Sequence, residues 1–404
     1  MTETARNPLG TENIGKLLRQ FAVPSVIAML VSALYNMVDQ LFIGHSIGML
    51  GNAATNVAFP LTTVSTALAL LCGIGGAANF NISMGRKDPE KARRYMGAAF
   101  PMLLTLGIVL CVVSRAFLEP MLNIFGATAD VLPYAMTYTG ITSFGFPFLI
   151  LTTGGTNLIR GDGSPRYSMM CNLAGAIINT ILDPLFIFGF NMGIRGAGLA
   201  TALSQTISFL LLLSMYLRGK TISKLSVKNI DLKHKETTVR VVQNGFPSLV
   251  RQLLGMFGTT FLNIGARPYG DAAIAAMTID GRVSMFLFAF VLGIGQGYQP
   301  VAAYNHGAGR EDRVREGYWF TLISSEVVVG ILAVLAIIFA EPIVQFFRDD
   351  PEVVRIGAGA MKFFGIAAFF QPVAVCTNMM FQSIGNARVA TFLSSLPCIQ
   401  NGSR

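Results

Sequence analysis

Charge is what this sequence lacks. Only 51 of its 404 residues are Asp, Glu, Lys or Arg, and the resulting 13% is about half the share usual in soluble domains. Hydrophobic residues make up 52%, and the polar ones fall in short clusters between apolar runs of membrane-spanning length, which excludes a soluble enzyme of this size. Cysteine is sparse as well: Cys72, Cys111, Cys171, Cys376 and Cys398 are odd in number, lie in apolar runs and form no C-x-x-C pair, so no disulfide framework is expected. His45, His234 and His306 are too scattered for the spacing of a metal site. A cleavable signal is not expected either, because residues 1–13 are polar and the apolar stretch from Phe21 is as long as a true span. The net charge of +9 would suit nucleic acid only on a basic folded face, and here the positive residues sit between apolar segments. They fit a membrane topology signal instead.

What is present is a series of apolar runs, each near the roughly 20 helical residues that a bilayer core requires. They predict an all-α polytopic membrane protein with ten spans, at 18–43, 53–80, 96–114, 134–159, 167–189, 196–217, 241–265, 272–304, 318–340 and 357–384. An eleventh run from Val389 lasts only about eight residues, too few to cross. Lys and Arg are retained on the cytoplasmic side, and a cytoplasmic N-terminus puts 21 of them inside, Arg160 among them, against five outside. The expected location is the cytoplasmic membrane, with residues 218–240 as a cytoplasmic linker.

The two sides of that linker repeat. Pro24 matches Pro247 at a shift of 223, Gly73 matches Gly293 at 220, Gly85 matches Gly309 at 224, and Pro147 matches Pro372 at 225. Gly163 to Arg166 matches Gly385 to Arg388 at 222. A period of that length predicts two six-helix bundles in the same orientation, residues 1–217 and 241–404, related by a pseudo-two-fold with a cleft between them. By the same period a complete second bundle would end near residue 440, about 36 residues further on, so the second bundle is expected to be truncated in its eleventh helix.

An ionised Asp at the bilayer centre costs about 3 kcal/mol on insertion scales, so each one needs a reason. Asp39 lies deep in the first span with Asn36 three residues earlier, and Asp183 lies in the fifth with Asn179 four residues earlier. A carboxylate with a carboxamide one turn away suits a proton or a small hard cation. Pro184 cannot donate to the Thr180 carbonyl, which predicts a free oxygen and a kink. Asp280, Arg282 and Arg251 are read as a structural ion pair across helices 7 and 8 ahead of a substrate contact, and Glu326 as an interhelical or snorkelling acid ahead of a role in transport. The clusters "GIGG" at Gly73 and "GIGQG" at Gly293 lie in helices with no preceding strand, so they indicate close helix packing rather than a dinucleotide site. An intramembrane aspartyl protease would need G-x-G-D at one Asp, which neither "TILD" nor "NMVD" supplies. The chain is therefore not expected to be an enzyme.

The runs "NMVDQLFIG", "MGRKDPEKA", "RGDGSPR", "NTILDPLFIFG" and "GAGLATALSQ" together resemble the multidrug and toxic compound extrusion (MATE) family, over nearly the whole chain and in its bacterial multidrug branch. The resemblance implies export of organic, cationic compounds by alternating access, driven by Na⁺ or H⁺, by a monomer that needs no cofactor or nucleic acid. It places the coupling cation on Asp39, Asn179, Asp183 and Thr201, with Asn157 as a further neighbour, and the substrate cavity at Tyr35, Asn36, Met256 and Met285. Acids that some members carry in helices 7 and 10 are missing from 241–265 and 358–384, so coupling is expected in the first bundle. Two alternatives remain open: a flippase for a lipid-linked substrate from the same superfamily, and a truncated remnant that does not transport.

Overall fold

The computed structural model describes residues 7–218, 235–347 and 350–401, and every regular element among them is a helix. The predicted linker therefore lies mostly outside the described residues. A four-residue helix α1 (Pro8–Thr11) leads into α2 (Ile14–Ile47), α3 (Met49–Gly85) and α4 (Pro89–Ala116). Next come α5 (Leu118–Ile124), α6 (Leu132–Thr142), α7 (Phe146–Gly161), α8 (Pro165–Pro184) and α9 (Ile194–Leu217). The second half holds α10 (Lys235–Ala266), α11 (Asp271–Gly307), α12 (Glu311–Ile338) and α13 (Ala340–Phe347). It closes with α14 (Pro351–Ala368), α15 (Gln371–Ser383) and α16 (Ala387–Asn401).

All ten predicted spans are helical, but seven helices among the described residues are long and apolar enough to cross a membrane, or eight if one bent pair counts as a span. Two of the ten are not the continuous rods the hydropathy suggested. The span predicted at 134–159 is interrupted by a 3-10 turn at Ser143–Gly145, and the one at 357–384 bends by 41° between α14 and α15. Each break immediately precedes a proline, Pro147 or Pro372, whose missing N–H and ring clash prevent an unbroken helix. These are the two prolines paired by the sequence period. The predicted eight-residue stub is also corrected, since α16 runs for 15 residues.

Apolar packing divides largely by half. One core joins Leu61, Leu103, Ile150 and Leu158 of α3, α4 and α7, while another joins Leu287, Val291, Val329 and Val375 of α11, α12 and α15. The start of the chain is an exception: Leu9, Ile14, Leu17 and Phe21 pack on Tyr298, Val301 and Val314 of the second half. Carbonyls of this segment accept hydrogen bonds from the same side, Leu9 from Asn305 at 2.9 Å, Glu12 from Arg313 at 2.7 Å, and Gly10 from Arg310.

The halves touch backbone to backbone at the end that carries these basic residues. On α3 and α10, a methyl on Gly245 would overlap the Leu71 carbonyl, and one on Gly75 the Val241 carbonyl. Gly293 and Gly297 of α11 likewise lie on the backbone of Val26 and Ala22 in α2. Asn244 donates to Asn79 Oδ1 at 3.1 Å beside this contact, and Asn79 donates to the Arg240 carbonyl at 3.1 Å. Three turns from Gly293, on the same face of α11, Arg282 is exposed; three turns from Gly245, on the same face of α10, Met256 is half-buried. The close contacts are thus concentrated at one end, and toward the other these same faces of α10 and α11 carry half-buried and exposed side chains, as expected where two bundles part around a cleft.

Gly245→Ala forces a side chain against the Leu71 carbonyl, an overpacking that costs on the order of 1–3 kcal/mol. It is expected to lower the unfolding midpoint of detergent-purified protein by several degrees, whereas Gly258→Ala, where a methyl meets nothing within 4 Å, is expected to leave it unchanged. Equal melting of the two variants would contradict the close approach of α3 and α10.

Candidate functional site

Inside the first half, α2 and α8 bring together the two intramembrane aspartates. Asp39 is 8% exposed and Asp183 is fully buried, and their carboxyl groups meet side chain to side chain. Asn179, also buried, points its amide at Asp183 Oδ1 at 3.4 Å, as its spacing one turn earlier in α8 requires. Three acceptor oxygens are left with no hydrogen-bond partner: Asp39 Oδ1, Asn179 Oδ1 and Asp183 Oδ2. Two adjacent carboxylates in a low-dielectric interior repel, and one proton or one small cation held between them relieves the repulsion.

The helix is irregular where the site needs it to be. Pro184 directly follows Asp183, and the next five residues, Leu185–Gly189, form a π-helical turn before the chain leaves the bundle. Proline removes one N–H from the ladder, and the wider turn that follows absorbs the shift in register.

Tyr35, one turn before Asp39, lies beside both carboxyl groups. A further phenol, Tyr138 of α6, stands near Asp39, Asp183 and Tyr35 and hydrogen-bonds the Thr201 hydroxyl. Thr201 therefore joins the site through Tyr138. Sequence reasoning missed Tyr138, although a tyrosine in mid-span needs a partner for its hydroxyl and so signals a polar neighbour.

Two other expected residues are placed elsewhere. Asn36 is exposed and turned back to the Ser32 carbonyl at 2.7 Å, so it does not flank Asp39. Asn157 donates to the Thr153 carbonyl at 2.7 Å and accepts from Arg160, which in turn reaches Ser25 Oγ at 3.2 Å. Ser25 precedes Asp39 by fourteen residues on one helix, so Asn157 sits about 20 Å along the axis from the carboxyl pair. With Arg160, Gln296 and Gln299, it lines a cavity of about 20 Å³ between the halves, room for one water. Arg160 itself is only 5% exposed, and so is a buried interface residue rather than a loop charge.

The ion pair expected across helices 7 and 8 is not formed. Arg251 donates to Asn378 at 3.0 Å, both carboxylate oxygens of buried Asp280 lack partners, and Arg282 is exposed. Helical phase explains the split, because positions 280 and 282 lie about 160° apart when viewed down α11. Met285, 49% exposed, lies three turns before the cavity residue Gln296 and shares its face, while Met256 continues the Gly245 face of α10. Of the four residues expected in the substrate cavity, Asn36 and Met285 are exposed, Met256 is half-buried, and Tyr35 lies beside the carboxyl pair.

The MatE family model matches residues 24–185 and again 247–398, two stretches whose starts lie 223 residues apart. The multidrug export protein MepA of Staphylococcus haemolyticus is 27% identical over 387 residues, covering 95% of this chain and 84% of that protein. MepA of Staphylococcus aureus is 25% identical over 381 residues, covering 94% and 84%. An outward-facing multidrug resistance MATE transporter of the MOP superfamily superposes with a TM-score of 0.90 at 21% identity, over 96% of this chain and 88% of that one. A MATE crystal structure in the straight conformation gives 0.91 at 21% identity, over 97% and 88%. These alignments cover 95% and 96% of this chain, and they lend no support to the expected truncation of the second bundle. Matched by its family model in both halves, the chain belongs to the MatE family of multidrug exporters and is a multi-pass membrane transporter, not an enzyme.

Proposed function

We propose that this chain is an antiporter that exports organic drugs, cationic ones among them, in exchange for an inward-moving Na⁺ or H⁺ held in the first half. The observation that carries this reading is the trio of partnerless buried oxygens on Asp39, Asn179 and Asp183. A buried acceptor without a partner costs roughly 1–3 kcal/mol, so three in one spot favour an ion that uses them. Oxygen-only ligation suits a hard cation, and the facing carboxyl pair suits a proton equally well. Tyr35 and Tyr138 stand near the carboxyl groups, and Tyr138 links their surroundings to Thr201 on α9.

In this reading residues 1–217 and 241–404 act as two bundles in a monomer, with the N-terminus in the cytoplasm. The touching end carries most of the basic residues, so the cleft opens away from the cytoplasm, which corresponds to an outward-facing state. An ion entering from that side neutralises the carboxyl pair, lets α2 move past α8 near Pro24, and biases the bundles toward the opposite opening. Drug and ion exchange because each binds one state better than the other.

Asp39→Asn and Asp183→Asn are each expected to abolish ethidium efflux from intact cells while leaving the amount of inserted protein unchanged. Efflux retained by both variants would refute the assignment. Proton coupling would make transport follow the pH gradient with no Na⁺ requirement; sodium coupling would make it fail without Na⁺ at any pH gradient. Tyr138→Phe and Thr201→Val, which remove the two ends of one hydrogen bond, are expected to slow efflux several-fold and to the same degree, with a double variant no worse than either single one. Additive losses would show that the two hydroxyls act separately.

A further inference from the structure

Arg282 is an arginine where a membrane protein has reason to avoid one. It lies within the apolar stretch Ala275–Gly307, eleven residues into α11, about 16 Å along the helix from its first residue. A guanidinium at such depth is costly unless it finds a partner or a water-filled space. Arg282 has the space: it is exposed, three turns from the contact of Gly293 with α2, on the face that turns toward the first half where the cleft opens. Among the described residues it forms no hydrogen bond or ion pair.

Three other charged groups described midway along these helices are turned away from the cleft. Asp39 faces Asp183 within the first half, Arg251 is tied to Asn378 within the second, and Asp280 lies on the opposite side of α11 with Ala276 and Leu287. The described cleft wall therefore presents one fixed positive charge beside the methionines Met256 and Met285. That charge gives the cleft a place for an anionic group on an otherwise apolar cargo. A planar fork of N–H donors matches the two oxygens of a carboxylate, and flexible thioethers accommodate apolar bodies of varied shape.

We propose that Arg282 is the receptor in the cleft for an anionic group, so that the cargo of this transporter includes amphiphiles bearing a carboxylate or a similar oxyanion. The inference rests on the cleft being the drug-binding space, as in the functional reading above, but not on which ion drives transport. A zwitterionic drug would place its carboxylate on Arg282 and its apolar rings between Met256 and Met285. Ethidium, a cation without an anionic group, would bind without help from Arg282.

The test uses the full chain, purified in detergent, and compares wild type with Arg282→Gln and Arg282→Lys. Affinities are measured for norfloxacin, which carries a carboxylate, for its methyl ester, and for ethidium. Arg282→Gln is expected to weaken norfloxacin about tenfold or more, the scale of a lost charge-assisted hydrogen bond, with ethidium held or bound more tightly. Arg282→Lys should recover part of the loss, and the ester should bind the wild type and Arg282→Gln alike. Equal weakening of all three ligands would identify a structural role and overturn the proposal, as would norfloxacin binding that ignores the substitution. A phosphatidylglycerol titration separates the two carriers of an oxyanion: lipid binding that needs Arg282 together with norfloxacin binding that does not would overturn the drug assignment. The coupling reading is scored separately, by release of bound ethidium with Na⁺ or acid. Failure of that release with the norfloxacin pattern intact would leave Arg282 in its role and remove the ion site.

Discussion

A polar group in a hydrocarbon surround must find its partner within the protein, and most of this structure follows from that rule. Backbone groups meet it by forming helices. Hydroxyls meet it by bonding back one turn, as Ser25 does to Phe21, Ser65 to Leu61, Ser204 to Ala200 and Ser383 to Met379. Larger side chains meet it by crossing between helices, as in the web of Gln382 with Ser248, Gln299 and the Asn244 carbonyl. Against so thorough a settlement, the exceptions carry information. Asp39, Asn179 and Asp183 share theirs in one place, between α2 and α8.

The arrangement also separates two tasks that a transporter must keep apart. The carboxyl pair is buried within the first half, and in the proposed function it is the ion that binds there. The cleft lies between the halves, walled by long flexible side chains. α2 belongs to both: Asp39 points into its own half, while Ala22 and Val26 form part of the contact with α11. A change at the carboxyl pair therefore acts on the helix that also holds the halves together, without any intermediate relay of side chains.

Much of this was legible in the sequence because the costs involved are large. Two aspartates in apolar runs, each with a carboxamide one turn away, stood out against a background of only 51 charged residues, and the structure brings both together with Asn179. What was not legible depended on helical phase or on contacts between distant segments. Asn36 and Asn179 look equivalent in sequence, yet one is turned to Ser32 and the other to Asp183, because α2 and α8 present different faces to each other. Arg160 looked like a loop charge because only three residues separate it from the turn at Gly163, but the side chain points back between the halves to Ser25. Pro147 and Pro372 were noted as repeat markers and not as breaks, since hydropathy averages over the very residues where the helix stops.

The glycine contacts between α3 and α10 have a mechanical meaning. α3 is 37 residues long, roughly 55 Å, and its closest backbone contacts with α10, at Leu71 and Gly75, lie in its second half. The remainder is an arm that extends about 35 Å from a pivot where backbone meets backbone at two glycines. Turning such an arm by about 10° moves its tip by about 6 Å, comparable to the thickness of a flat aromatic drug with its clearance. Side chains interdigitated at the pivot would resist that rotation, whereas smooth backbone against backbone lets one half roll on the other and turns a small local displacement into a wide change at the mouth.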